Sequence, residues 1–113
     1  MTTSSTARVT CDRPGRYGKQ LASHFSQKLE TRWDPEAGRG HLSFGGETPG
    51  EVEMIAGDGV LLLQLEAPRA HLEHLENVIG RHLVKFGHRD ELKVAWKRPG
   101  GVDGTTQVAT PED

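Results

Sequence analysis

Two helical repeats enclosing a run of strand repeats constrain this chain more than any other feature. Tyr17, Leu21, Phe25 and Leu29 recur every four residues, which is the apolar stripe of an amphipathic helix. Leu72, Leu75, Ile79, Leu83 and Phe86 draw a second stripe further along. Around and between them apolar residues alternate with polar ones. Ala7, Val9 and Cys11 form one such run, followed by Thr31 and Trp33, Leu42 and Phe44, and Val52 and Met54. Leu61, Leu63 and Leu65 form the next, and Leu92, Val94 and Trp96 the last. Strict alternation buries one face of a sheet, and a helix with a single stripe covers one side of it. The economical architecture is therefore an α+β domain: an antiparallel sheet of about six strands with two amphipathic helices on one face, in the order β-α-β-β-β-β-α-β. Three inward leucines on one strand place the Leu61–Leu65 segment centrally.

Local signals set the boundaries. Asp12 caps the first helix, with Pro14 in its first turn, and the helix runs to about Leu29. Asp34-Pro35-Glu36-Ala37-Gly38 and Ala56-Gly57-Asp58-Gly59 have turn chemistry. Pro68 opens the second helix and Gly87 closes it with a left-handed cap. Residues 1–6 read as a flexible leader, residues 7–97 as a single domain, and residues 98–113 as a disordered tail. That tail offers only two valines and one alanine as apolar content.

A chain of 113 residues has room for one domain. Its net charge of −2 argues against non-specific nucleic-acid binding and against a polybasic membrane anchor. Cys11 is the single cysteine, so no intrachain disulfide forms, as suits a reducing compartment. The first residues lack an apolar signal segment, and the longest apolar run, Val60 to Leu63, is too short to span a bilayer. A cytoplasmic location is the default expectation.

Among the six histidines, His24 and His82 lie at the edges of the two helical stripes. Helices packed side by side would point both imidazoles into one seam, where they could hold a metal or act as acid or base. The plainer reading makes each a boundary histidine bonded to a backbone carbonyl, the commoner outcome for such residues. His71 and His74 lie one turn apart without a convincing third ligand, and Glu73 and Glu76 beside them read as acids of a wet helix face. Arg81, Lys85, His88 and Arg89 crowd the end of the second helix, where the helix dipole alone favours cations. Gly15-Arg16-Tyr17-Gly18 matches a G-x-x-G loop only superficially, since it falls in a helix after a strand. No nucleophile elbow, phosphate loop or zinc-binding cysteine pair is present. The sequence requires no cofactor and carries no enzyme signature.

Three segments are more informative together. They are Arg16-Tyr17-Gly18-Lys19-Gln20-Leu21-Ala22-Ser23-His24-Phe25, the stretch from Val78 to Leu92 that contains Gly80-Arg81-His82-Leu83-Val84-Lys85-Phe86-Gly87-His88-Arg89, and Val94-Ala95-Trp96. They resemble a bacterial family of small proteins termed domain of unknown function 2218, over about Ala7 to Lys97. The family's pattern falls on Lys19, His24, His82, Phe86, Arg89 and Leu92. The resemblance implies a stand-alone domain, or a companion of siderophore-interacting, flavin-dependent ferric reductases, and hence a context in iron acquisition. No activity is implied.

Three functional readings follow. The first is a non-enzymatic binding module for an anionic small molecule or metal chelate. His24 and His82 would be the metal contacts, and Lys19, Arg81 and Arg89 the ligand-binding cations. The second is a protein-interaction or homo-oligomerisation domain, with a partner such as a ferric reductase on the open sheet face. Arg8, Arg32, Glu51, Glu53, Val60, Leu62, Glu66, Lys93 and Lys97 would present that face. The third is an acid–base enzyme using His24 or His82, oriented by Asp12, Asp34 or Asp90.

Overall fold

Leu61, Leu63 and Leu65 are fully buried, as three successive inward positions on a central strand must be. Each removes an aliphatic side chain from water, worth roughly 1.5–3 kcal/mol. In the computed structural model, which describes residues 2–108, the strand that carries them is the fourth of seven in one antiparallel sheet. In chain order the elements are β1 (Thr2–Thr10), α1 (Pro14–Phe25), β2 (Glu30–Asp34), β3 (Arg39–Phe44), β4 (Gly50–Gly57), β5 (Val60–Pro68), α2 (Arg69–Phe86), β6 (Lys93–Arg98) and β7 (Val102–Val108). The strands lie side by side as β2-β3-β4-β5-β1-β6-β7. Both helices cover the same face. There α1 packs on the β2–β5 half, and α2 lies over β5, β1, β6 and β7. The expected α+β class and helix placement hold, with seven strands in place of about six.

Both chain ends differ from expectation. Thr2 to Thr6, read as a flexible leader, form the first half of β1 and pair with Pro68 to Gln64 of β5. Within the expected tail, Val102 to Val108 form β7 on the edge of β6. Met1 and residues 109–113 lie outside the described residues. One physical reason accounts for both corrections: the inward positions of these strands are polar, so no apolar alternation marks them. Ser5 and Gln107 are buried, and Ser5 points at the carboxylate of Glu76.

Glu76, taken as an acid of a wet helix face, is fully buried on α2. It accepts hydrogen bonds from Ser5 Oγ (2.6 Å), Arg98 Nε (3.1 Å) and Nη2 (2.9 Å), and Thr105 N (3.0 Å) and Oγ1 (2.9 Å). A buried charge survives only when paired and hydrogen-bonded to this degree. Burial pushes the carboxyl up, but the bonds from Arg98, Ser5 and Thr105 outweigh it and hold the group below its ordinary value.

Helix ends also shift. The cap of α1 is Arg13, not Asp12, and no side chain closes it. The helix stops at Phe25, where the Ser26 hydroxyl turns back onto Ser23 O, and Leu29 still packs against the core from the turn beyond. Gly87 ends α2 with a φ of −98°, so its cap is not left-handed; the left-handed residue is Glu91 at 53°. Glycine is needed at 87 for space, since a Cβ there would lie 2.2 Å from Leu92 Cδ1.

Replacing Glu76 by alanine leaves Arg98 half-buried without its counter-charge and should cost about 3–5 kcal/mol in urea unfolding. Because the folded carboxyl titrates below 4.5, its contribution is present above that pH and fades as pH falls through it. Stability of the native chain should therefore drop below about pH 4.5 more steeply than that of Glu76→Ala. Equal slopes would show that Glu76 contributes no linked protonation.

Candidate functional site

One aromatic contact sets how closely α1 approaches the sheet. A Cβ on Gly18 would lie 2.5 Å from the Trp33 ring, and one on Gly40 would lie 2.6 Å from it, so the indole occupies the space that both glycines leave. The other anchor is Tyr17, whose hydroxyl donates to the Asp90 carboxylate in the turn after α2. Burial and that carboxylate push the phenol up to about 12, so the tyrosine stays a donor at every physiological pH. With α1 held by Trp33 and Asp90, its last turn comes against α2.

There the two histidines converge. The ring centroids of His24 and His82 are 4.7 Å apart, tilted by 43°. His24 meets the Phe86 ring edge-on at 5.4 Å, His82 meets Phe25 at 5.0 Å, and Phe25 meets Phe44 of β3 at 5.6 Å. The Nδ1 of His82 lies 2.7 Å from Val78 O, one turn back on α2. A carbonyl can only accept, so Nδ1 carries the proton, and Nε2 is the nitrogen whose lone pair a neutral ring offers to a ligand. The bond anticipated by the plainer reading is thus present, and it orients the ring without using the second nitrogen. His24 is exposed at the lip of the seam. Partial burial, then His82, Lys85 and Lys28, hold its pKa below the ordinary 6.5, so the imidazole is neutral near pH 7.

Two open grooves flank His24. One, of about 650 Å³, has Phe25, Leu29, Phe44 and Val78 as its apolar wall, with His82 and Lys28 also lining it. The other, of about 470 Å³, is lined by Arg16, Lys19, Gln20, Ser23, His24 and Phe86. Each has room for a small ligand. Neither is lined by a carboxylate, so the cations lack an acid within the grooves. Of the cations expected here, Lys19 lines a groove, whereas Arg81 and Arg89 are exposed and line neither. Arg16, Ser23 and Lys28 were not among the ligand contacts expected from sequence, and Lys85 was noted there only among the cations at the end of α2. Arg16, Lys19 and Ser23 follow helical spacing on α1 and were legible in that sense; that Lys85 neighbours His24 needed the fold.

The remaining candidates are elsewhere. Asp34 closes the β2–β3 turn by accepting from Glu36 N and Ala37 N, and Asp90 is engaged by Tyr17. Neither orients a histidine. Among the described residues no group of three or more His, Cys, Asp or Glu side chains is arranged to hold a metal ion. On the open sheet face Val60 and Leu62 are half-buried, and Leu62 lies between Arg8 and Ile55 on the adjoining strands.

His41 on that face went unremarked in the sequence. Its Nδ1 lies 2.9 Å from Glu53 Oε1 and its Nε2 2.5 Å from Glu51 Oε1, with Ser43 Oγ donating to the other oxygen of Glu51. Both ring nitrogens face carboxylate oxygens, which suits the imidazolium form. Burial lowers its pKa, but the bonds and charges of Glu53 and Glu51 outweigh burial and raise it above 6.5. This clamp occupies both nitrogens, and the grooves around His41 lack a histidine available to a ligand.

The clamp carries a signed pH dependence. Its stabilisation is fully present below pH 6.5 and is lost as pH rises through the raised folded value. His41→Gln should therefore cost roughly 0.5–1 kcal/mol at pH 6, given half-exposed partners, and progressively less toward pH 9. Urea unfolding of both chains across that range measures it. A difference that grows with pH would contradict the assignment.

Comparisons with known proteins bear on the fold and the family. The NMR structure of PA4090 from Pseudomonas aeruginosa is similar to the chain, with 28% identity and a TM-score of 0.68 over 88% of this chain and 98% of that one. No curated protein matches. No helix among the described residues is long and apolar enough to cross a membrane. Residues 6–97 match the family described as "Uncharacterized protein conserved in bacteria (DUF2218)", and the chain belongs to that family.

Proposed function

We propose that this domain is a non-enzymatic binding module whose seat is the α1–α2 seam, and that it takes an anionic metal chelate. The observation that carries the reading is the approach of His24 and His82 to 4.7 Å between centroids, with His82 Nε2 left available by the Nδ1 bond to Val78. Two imidazoles suit a borderline transition-metal ion such as zinc, copper or iron. Two ligands do not complete a coordination sphere, and no third protein ligand gathers with them among the described residues. A metal that arrives already chelated brings the missing donors itself.

Charge supports the same ligand class. Arg16 and Lys19 line one side of His24 and Lys28 lines the other, so anionic groups of a chelate find cations on both flanks. The apolar wall of Phe25, Phe44 and Val78 accommodates the body of such a molecule. In this reading Arg81 and Arg89 stay outside the seat. The iron context implied by the sequence resemblance makes a ferric chelate the first probe, and a reductase-type protein the partner to test after it.

Histidine side-chain NMR signals, followed during titration with zinc, with ferric ion and with ferric citrate, test the proposal. His24 and His82 should move together and saturate at micromolar ferric citrate, more weakly with bare zinc, while His41 and His71 stay still. His24→Ala or His82→Ala should abolish saturation. If all six histidines respond weakly, or others respond while His24 and His82 stay still, the pair is packing and the seat is not a metal site.

A further inference from the structure

The flank of α2 turned away from α1 carries a second built site. Thr105 of β7 gives both its backbone N–H and its hydroxyl to Glu76. Gln107, which is 5% exposed, accepts from Trp96 Nε1 at 2.9 Å and donates to Asn77 Oδ1 at 3.0 Å and Thr105 Oγ1 at 2.9 Å. A Cβ on Gly80 would lie 1.8 Å from Gln107 Oε1, so the side chain that α2 lacks is the space the glutamine fills. Glu76, Asn77, Gly80 and Trp96 thus make a seat for a strand with threonine and glutamine two residues apart. All four fall within the family-matched residues 6–97, whereas the strand that fills the seat lies beyond them.

We infer that this flank is a strand-acceptor site, filled by β7 of the same chain and able to take β7 of a second copy in its place. The contacts described run from β7's own backbone and side chains to the seat. A strand donated by another copy satisfies the same groups without any new interaction. The connection permits the exchange. Arg98 and Val102 are both extended, and the chain reverses between them through Gly100 and Gly101, at φ of 79° and 77°. Two glycines leave this left-handed region with little hindrance, and straightening them sends β7 outward rather than back. The buried charge keeps three of its five hydrogen bonds during the move. Arg98 precedes the turn, so its two bonds to Glu76 remain when β7 leaves, as does the bond from Ser5. The groups left waiting are Glu76 Oε1, which loses both Thr105 bonds, the Trp96 indole N–H and the Asn77 amide oxygen. Each is restored by the incoming strand, and reciprocal exchange closes a two-fold dimer.

The test uses the full chain with Gly100→Val and Gly101→Val together, since β-branched residues strongly disfavour the reversed turn. Light scattering should move from the monomer mass to twice that mass. The Trp96 indole proton should keep its native NMR position, because a partner's Gln107 accepts it. A monomer with the native Trp96 signal, a monomer with that signal displaced, or a dimer with it displaced each overturns the inference. Should the double variant fail to fold, native chain labelled half with 15N and half with 13C is refolded as a mixture at high concentration. Cross-relaxation between Trp96 of one label and Gln107 of the other is expected, and its absence overturns the inference.

Discussion

Everything in this molecule follows from loading two helices onto the same face of a seven-stranded sheet. That face has to accept two helices, two indoles, several phenyl rings and one buried carboxylate at interior density. Space is made by omission. Trp33 enters where Gly18 and Gly40 have no side chains, Leu75 where Gly50 has none, Leu92 against Gly87, and Gln107 against Gly80. Fill those positions and neither helix lies flat. Gly18, which weakens a helix by roughly 1 kcal/mol on propensity alone, is therefore the residue that lets α1 approach the sheet. The seam between the helices goes with that approach, in which α1 covers Trp33 and Tyr17 bonds to Asp90.

What was legible in the sequence was the apolar part of this plan. The inward leucines of β5 marked a central strand, and it is the fourth of seven. The two stripes marked the helices and the face they share. What escaped was the polar part. Ser5, Thr105 and Gln107 take inward positions on strands with no apolar alternation, and so residues 2–6 and 102–108 looked unstructured. One clue was available. Glu76 falls four residues after Leu72 and three before Ile79, within the stripe of α2 rather than opposite it. An acid at a stripe position requires partners, and here they come from both ends of the chain.

The candidate seam was half legible for a similar reason. Helical arithmetic at 100° per residue puts His24 and His82 at the edges of their stripes, and each is found there. Whether edges of two helices meet depends on their placement over the sheet, which no periodicity records. The contribution of Phe44 from β3, and the cationic neighbours Lys28 and Lys85, belong to that tertiary layer. His41 shows the complementary limit. Its partners are near it only through β3–β4 register, in which His41 is opposite Glu53 and Ser43 opposite Glu51. Alternation reveals that these residues share a face, but not which of them adjoin.

The seam and the strand seat use different sides of one helix, and this makes them physically separable. Along α2 the residues Leu72, Leu75, Ile79 and Leu83 face the sheet. Val78 and His82 look toward α1, while Glu76, Asn77 and Gly80 look toward β7. His82 takes its orientation from Val78 O within its own helix, and its neighbours are rings of α1 and α2. None of those contacts passes through β7. A change of strand donor therefore leaves the imidazole pair where it is, provided α2 keeps its place on the sheet, and the retained Arg98–Glu76 pair ties that helix to β6. Occupancy of the seam and the origin of β7 are accordingly two independent variables of this fold. A result on either one leaves the other open to its own measurement.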